Sequence, residues 1–218
     1  EDEKKREEEK EKEAVPGKSY RITAIAADAG APADHSSEGS AIGSAIGGGG
    51  GVLCERGVLE SPKVDAAIAL HAWPTDVAGS IVVNQGPVTA ANNEINITVR
   101  GRSGHGAYPH KCIDPVVIAA YVITHLQTII SRTVPPLDCG VVTIGQLTAG
   151  SASNVIPPEC CMTGTIRYYR PETGELIRQR VHEIAGNVAR AHGAEADVKI
   201  KTGYPPLFNN QKLFELIR

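Results

Sequence analysis

The feature that most constrains the fold is the change of hydrophobic period along residues 94–201. Ile95, Ile97 and Val99 alternate with Asn96, Thr98 and Arg100, the spacing of a half-buried strand. Asp114-Pro115 follows, a capping residue with proline at the first helical position, and it opens a predicted helix over 114–132. Val116, Ala119, Ala120, Ile123, Leu126 and Ile130 recur there at intervals of three and four. Pro135-Pro136 ends that segment, and a strand is predicted over 140–148. A loop over 150–158 leads to a strand at 159–168, with Met162, Ile166 and Tyr168 on one side and Thr163, Thr165 and Arg167 on the other. Pro171 opens a second helix with the stripe Ile177, Val181, Ile184 and Val188, and Gly193 stands just past its end. Ala196, Val198 and Ile200 then alternate with Asp197, Lys199 and Lys201 in a last strand, 195–201. The order β-α-β-β-α-β implies an α+β, ferredoxin-like domain: one antiparallel four-stranded sheet with both helices on one face.

The first strand runs into Gly101-Arg102-Ser103-Gly104-His105-Gly106-Ala107-Tyr108-Pro109-His110. Three glycines allow tight turns and close approach of other groups. Imidazole suits proton transfer, metal binding or a neutral hydrogen bond. From these ten residues alone, an ordinary glycine-rich loop with surface histidines is an equal reading. Upstream, Ala66-Ala67-Ile68-Ala69-Leu70 is an apolar run of strand length that ends in His71. The C-terminal end of a buried strand is where α/β enzymes place functional groups, although a hydrogen-bonded core histidine fits as well. Short strands are also expected at 19–27 and 81–83, and a short helix at 52–59.

Charge narrows the function classes. Residues 1–13 are all charged and carry the whole net charge of −3. This run has no apolar face to bury, so a solvated helix or disorder is expected over 1–18. The remainder is neutral, with no basic surplus to neutralise phosphates, so no nucleic-acid partner is expected. An RNA-recognition-type sheet also needs aromatic side chains for base stacking, and aromatic residues are 4% of the chain. Gly39-Ser40-Ala41-Ile42 repeats as Gly43-Ser44-Ala45-Ile46, and Gly47–Gly51 follow; none of this sits in a phosphate-cradling motif. No apolar stretch of membrane-span length and no apolar leader stand out, so no membrane association is expected. Five cysteines without C-x-x-C spacing read as reduced thiols in a cytoplasmic protein.

Taken together, Gly47–Gly51, Gly57–Asp65, Ala69–Pro74, Gly101–His110, Asp114-Pro115, Leu126–Arg132, Asn154–Pro157, Gly164–Arg167 and Gly203–Pro206 resemble the aminoacylase/carboxypeptidase superfamily of zinc-type metallopeptidases. The resemblance is strongest to its N-acyl-amino-acid amidohydrolase, hippurate hydrolase and auxin-conjugate hydrolase branch. It implies a ferredoxin-like lid inserted in an α/β metallohydrolase catalytic domain and forming a homodimer contact. It places the lid at 76–202, with parts of the catalytic domain at 19–75 and 203–218. It implies a divalent metal pair, zinc or manganese, and hydrolysis of the amide bond of an N-acyl amino acid. Residue by residue it makes His71 a metal ligand, His105 the catalytic lid histidine and Asn154 a substrate-binding residue. The family pattern also has an acidic pair directly before the glycine run, where this chain has Ala45 and Ile46. An upstream histidine–aspartate ligand cluster has no match here, and a distal ligand histidine would lie past Arg218. Asp34, His35 and Glu38 are the substitute cluster the sequence offers. These departures leave a non-catalytic dimerisation module as the alternative function.

Overall fold

The computed structural model describes residues 27–28, 54, 56–60, 63–71 and 81–217. The elements in chain order are β1 (Ala27–Asp28), β2 (Ala66–Ala67), β3 (Gly86–Thr89), β4 (Asn93–Arg100), β5 (Gly104–His105), α1 (Pro115–Thr128), β6 (Gly140–Ala149), β7 (Val155–Ile156), β8 (Glu159–Tyr168), α2 (Pro171–Ala191), β9 (Glu195–Thr202), β10 (Leu207–Asn209) and α3 (Gln211–Ile217). Chain contacts divide these into two units, 1–88 with 208–218, and 89–207.

The 89–207 unit holds a four-stranded sheet in the order β6-β8-β4-β9. Every neighbouring pair is antiparallel, with Ile97 opposite both Met162 and Val198. Ile95, Ile97, Val99, Val142, Cys160, Met162 and Ile166 form the buried face. Both helices cover that same face: Ile118, Val122, Leu126 and Ile129 from the first, Ile177, Val181, Ala185 and Ala189 from the second. This is the α+β, ferredoxin-like arrangement expected from the sequence. Each fully buried aliphatic side chain in it contributes roughly 1.5–3 kcal/mol against leaving it exposed. Burial pushes the Cys160 thiol up, with Cys161 and Asp114 adding to the shift, so this cysteine is an inert part of the core. Cys112, Cys139, Cys160 and Cys161 form no disulfide.

Helix ends are set locally. The Asp114 carboxylate accepts from the N–H groups of Val116 at 2.9 Å and Val117 at 3.4 Å, and Pro115 follows as the first helical residue. After Thr128 the helix widens into a π turn over Ile129–Thr133. Pro115–Thr133 is long and apolar enough by length and composition alone to cross a membrane, with a mean hydropathy of 1.3. Ile118, Val122, Leu126 and Ile129 of this segment pack in the core against the sheet. The second helix has no side-chain cap of its own. Asp138 reaches its first turn from another loop, accepting from Thr173 Oγ1 at 3.0 Å and Arg170 Nη1 at 3.1 Å. Gly193, at φ +74°, turns the chain out of it.

One close approach fixes the sheet's shape. The β6–β8 register shifts between Ile144 and Gln146. A Cβ on Gly164, opposite that bulge, would lie 2.0 Å from the Thr143 carbonyl oxygen. Gly164→Ala must therefore push two strands apart, and we expect it to destabilise the domain by about 1–3 kcal/mol. Urea unfolding should show a lower midpoint at an unchanged slope; an unshifted midpoint would contradict the close approach.

Several expectations need correction. Of the predicted helix stripe, Ala119 and Leu126 are buried and Ile123 and Ile130 pack against the core, but Val116 is 38% exposed and Ala120 is exposed too; Pro115, Ile118 and Val122 complete the buried face of α1. Val122 and, in the π turn, Ile129 are fully buried core residues. The run 66–70 is a strand only at Ala66–Ala67, paired with Ala27–Asp28, and Ile68 and Leu70 are exposed. No described strand lies on its other side, so the run has little to bury against. Residues 56–59 turn, with Gly57 at φ +77°, and do not continue a helix. At 81–83 only Ile81 makes a single bridge. The readings of 1–18, of 19–26, of Asp34, His35 and Glu38, and of the glycine run lie outside the described residues.

Candidate functional site

The loop 101–110 is tied down at its base. Arg102 and Ile113 exchange two backbone hydrogen bonds, at 2.9 and 3.0 Å, and Gly101 N donates to Pro158 O at 2.9 Å. A Cβ on Gly101 would lie 2.1 Å from Ile113 O, and one on Gly104 would lie 2.5 Å from Cys112 Sγ. Gly101 therefore needs glycine for its close approach to a backbone oxygen, at ordinary backbone angles, whereas a side chain at Gly104 would require Cys112 to turn away.

From that base the short strand β5 runs antiparallel to β7, with Gly104 opposite Ile156 and His105 opposite Val155. Ser103 Oγ donates to Ile156 O at 2.7 Å, and Gly106 N donates to Asn154 O at 2.8 Å. A side chain on Gly106 would crowd the Asn154 backbone, its Cβ 3.2 Å from the carbonyl oxygen. The ladder thus brings His105 beside Asn154, 49 positions away in the chain, and both are exposed.

The His105 ring is held as well as its backbone. Ala107 N donates to His105 Nδ1 at 3.0 Å. A ring nitrogen that accepts carries no hydrogen in the neutral imidazole, so the hydrogen sits on Nε2. The Tyr108 ring stands 5.7 Å away at 59°, with Lys111 Nζ 5.4 Å from the Tyr108 centroid. An exposed N–H donor beside an exposed carboxamide can bind a carbonyl oxygen and a second polar group of one ligand.

His71 lies in the other unit and is exposed, following β2. Among the described residues no three histidine, cysteine, aspartate or glutamate side chains gather as a metal site. Ala45 and Ile46 carry no donor atoms in their side chains. The described residues by themselves therefore assemble no metal pair, and no step is routed through one here. The sequence reading missed Ser103, Ala107 and Tyr108, although all three lie inside the stretch it singled out.

The ferredoxin-like unit thus carries a histidine loop beside an asparagine loop. Residues 92–193 match the M20 peptidase dimerisation domain, so this part of the chain is an M20-type dimerisation domain. It is 37% identical over 166 residues to an N-acetyldiaminopimelate deacetylase of Streptococcus uberis, covering 76% of this chain and 44% of that one. It is 34% identical over 172 residues to an N-acetyl-L-cysteine deacetylase of Bacillus subtilis, covering 79% of this chain and 41% of that one. The chain thus spans less than half the length of these relatives. Among solved structures, a Bacillus subtilis dinuclear metal-binding peptidase of the M20 family superposes with a TM-score of 0.54 at 25% identity, covering 75% of this chain and 39% of that one.

Proposed function

We propose that this chain supplies the lid of a metal-dependent amidohydrolase that cleaves the amide bond of N-acyl amino acids. The observation that carries this is the placement of His105 beside Asn154 on the β5–β7 ladder. In this reading the His105 Nε2–H polarises the amide carbonyl and stabilises the oxyanion formed when water adds. Asn154 orients the substrate through its carboxamide. The deacetylase relatives support an N-acyl amino acid as the substrate class. The M20 neighbour supports a divalent metal pair, which we take as zinc or manganese, with His71 as one ligand. The lid spans 76–202 and the flanks 19–75 and 203–218 belong to the catalytic domain, in the cytoplasm. A second copy of the chain is the partner. It would pair across α1 and the edge strand β6, which carry the exposed side chains Val116, Val117, Tyr121, Val141 and Leu147.

A second reading, a non-catalytic dimerisation module, is favoured by Ala45-Ile46 before the glycine run. Purified chain with zinc or manganese is expected to give no turnover of N-acetyl amino acids, because no described cluster holds a metal. Turnover that is lost on His71→Ala would show that the 218 residues carry a full ligand set and more than a lid's share of the chemistry.

A further inference from the structure

The contacts around His105 do more than hold a loop. Its backbone is pinned on both sides: paired with Val155 across the ladder, and accepting from Tyr108 N at 2.8 Å. Its Nδ1 lone pair is occupied by the Ala107 N–H. One side of the ring meets Tyr108, whose own ring is flanked by His110 at 6.2 Å and by the Lys111 ammonium. Ser103, two residues before His105, ties this strand to the one that follows Asn154.

We propose that Ser103, Ala107 and Tyr108 are positioning residues that lock His105 in its Nε2–H tautomer and in one ring orientation. The lock defines what the loop can recognise: an oxygen that accepts a hydrogen bond, such as a carbonyl or oxyanion. It disfavours a proton-abstracting role, because the nitrogen that would take the proton already accepts from a backbone amide. The ligand class rests on the reading of His105 given above; the lock itself does not.

The chain contains an internal contrast. His125 Nδ1 lies 2.8 Å from the Tyr121 carbonyl oxygen, which can only accept. His125 must therefore be the opposite tautomer, with its hydrogen on Nδ1.

Long-range proton–nitrogen NMR of the 218-residue chain, labelled at the histidine ring nitrogens, reads both. The His105 signals are assigned by their loss in His105→Asn. The expected result is Nε2–H for His105 and Nδ1–H for His125 near neutral pH. Ala107→Pro removes the amide hydrogen, and Tyr108→Leu and Ser103→Ala remove the ring wall and the tie. Each should move the His105 nitrogen shifts toward the averaged pattern of a free histidine peptide, with the melting curve confirming the fold. A His105 that shows Nδ1–H, or the averaged pattern in the unaltered chain, overturns the lock whatever the variants do. Variants that fold and leave the His105 pattern unchanged remove those residues from the positioning role. This spectrum needs no ligand and no turnover, so its outcome is separate from that of any hydrolysis assay.

Discussion

Replacing Val122 by glutamate is expected to unfold residues 89–207, while the same change at Val117, five positions away on the same helix, should leave them folded. Val122 is 0% exposed and packs in the core between helix and sheet. Val122→Glu removes roughly 1.5–3 kcal/mol of burial. It also forces a carboxylate into a site with no partner, at a penalty of several kcal/mol. Set against a typical domain stability of about 5–15 kcal/mol, that is enough to abolish a cooperative transition. Val117 is 50% exposed. A charge there should change folding stability by no more than about 0.5 kcal/mol. It should instead weaken self-association, because under two-fold symmetry the charge faces its own copy. Thermal melting separates the first effect and light scattering the second. Wild type should scatter as about twice its 23.0 kDa and Val117→Glu as a monomer. A folded Val122→Glu would overturn the core assignment, and a wild type that stays monomeric would remove the pairing.

This contrast also shows what could and could not be read in the sequence. The strands at 93–100, 159–168 and 195–202 were legible because polar and apolar residues alternate in them, and the second helix because its apolar stripe stands out from polar neighbours. The face of α1 was not. Pro115 to Ile123 contains no charged residue, so two adjacent stripes fit the helical period equally well. The predicted stripe starts at Val116; packing keeps Ala119 and Leu126 from it in the core, leaves Val116 exposed, and buries Pro115, Ile118 and Val122 as well. Propensity cannot break that tie, because it depends on where the sheet lies.

The candidate site divides in the same way. The glycine–histidine loop stood out by composition. The ladder that places His105 beside Asn154 is two residues long on each side, too short to show any period. The roles assigned to His105, Asn154 and His71 came from the family resemblance, not from spacing. The orientation of the His105 ring is set by a backbone amide, a group that no sequence pattern reports. His71 was read as closing a buried strand, yet the run before it is largely exposed in the described structure.

If the lid presents His105 to the substrate, its loss must slow turnover in a complete enzyme. In the Streptococcus uberis deacetylase to which the chain is 37% identical, the segment equivalent to residues 92–193 can be exchanged for this chain's own. The chimera should hydrolyse its N-acetyl substrate. His105→Ala within it should lower kcat by about 100- to 1,000-fold with KM nearly unchanged, as expected for a lost oxyanion donor. A dimeric chimera whose kcat is the same with and without His105 would show that this histidine does not reach the substrate.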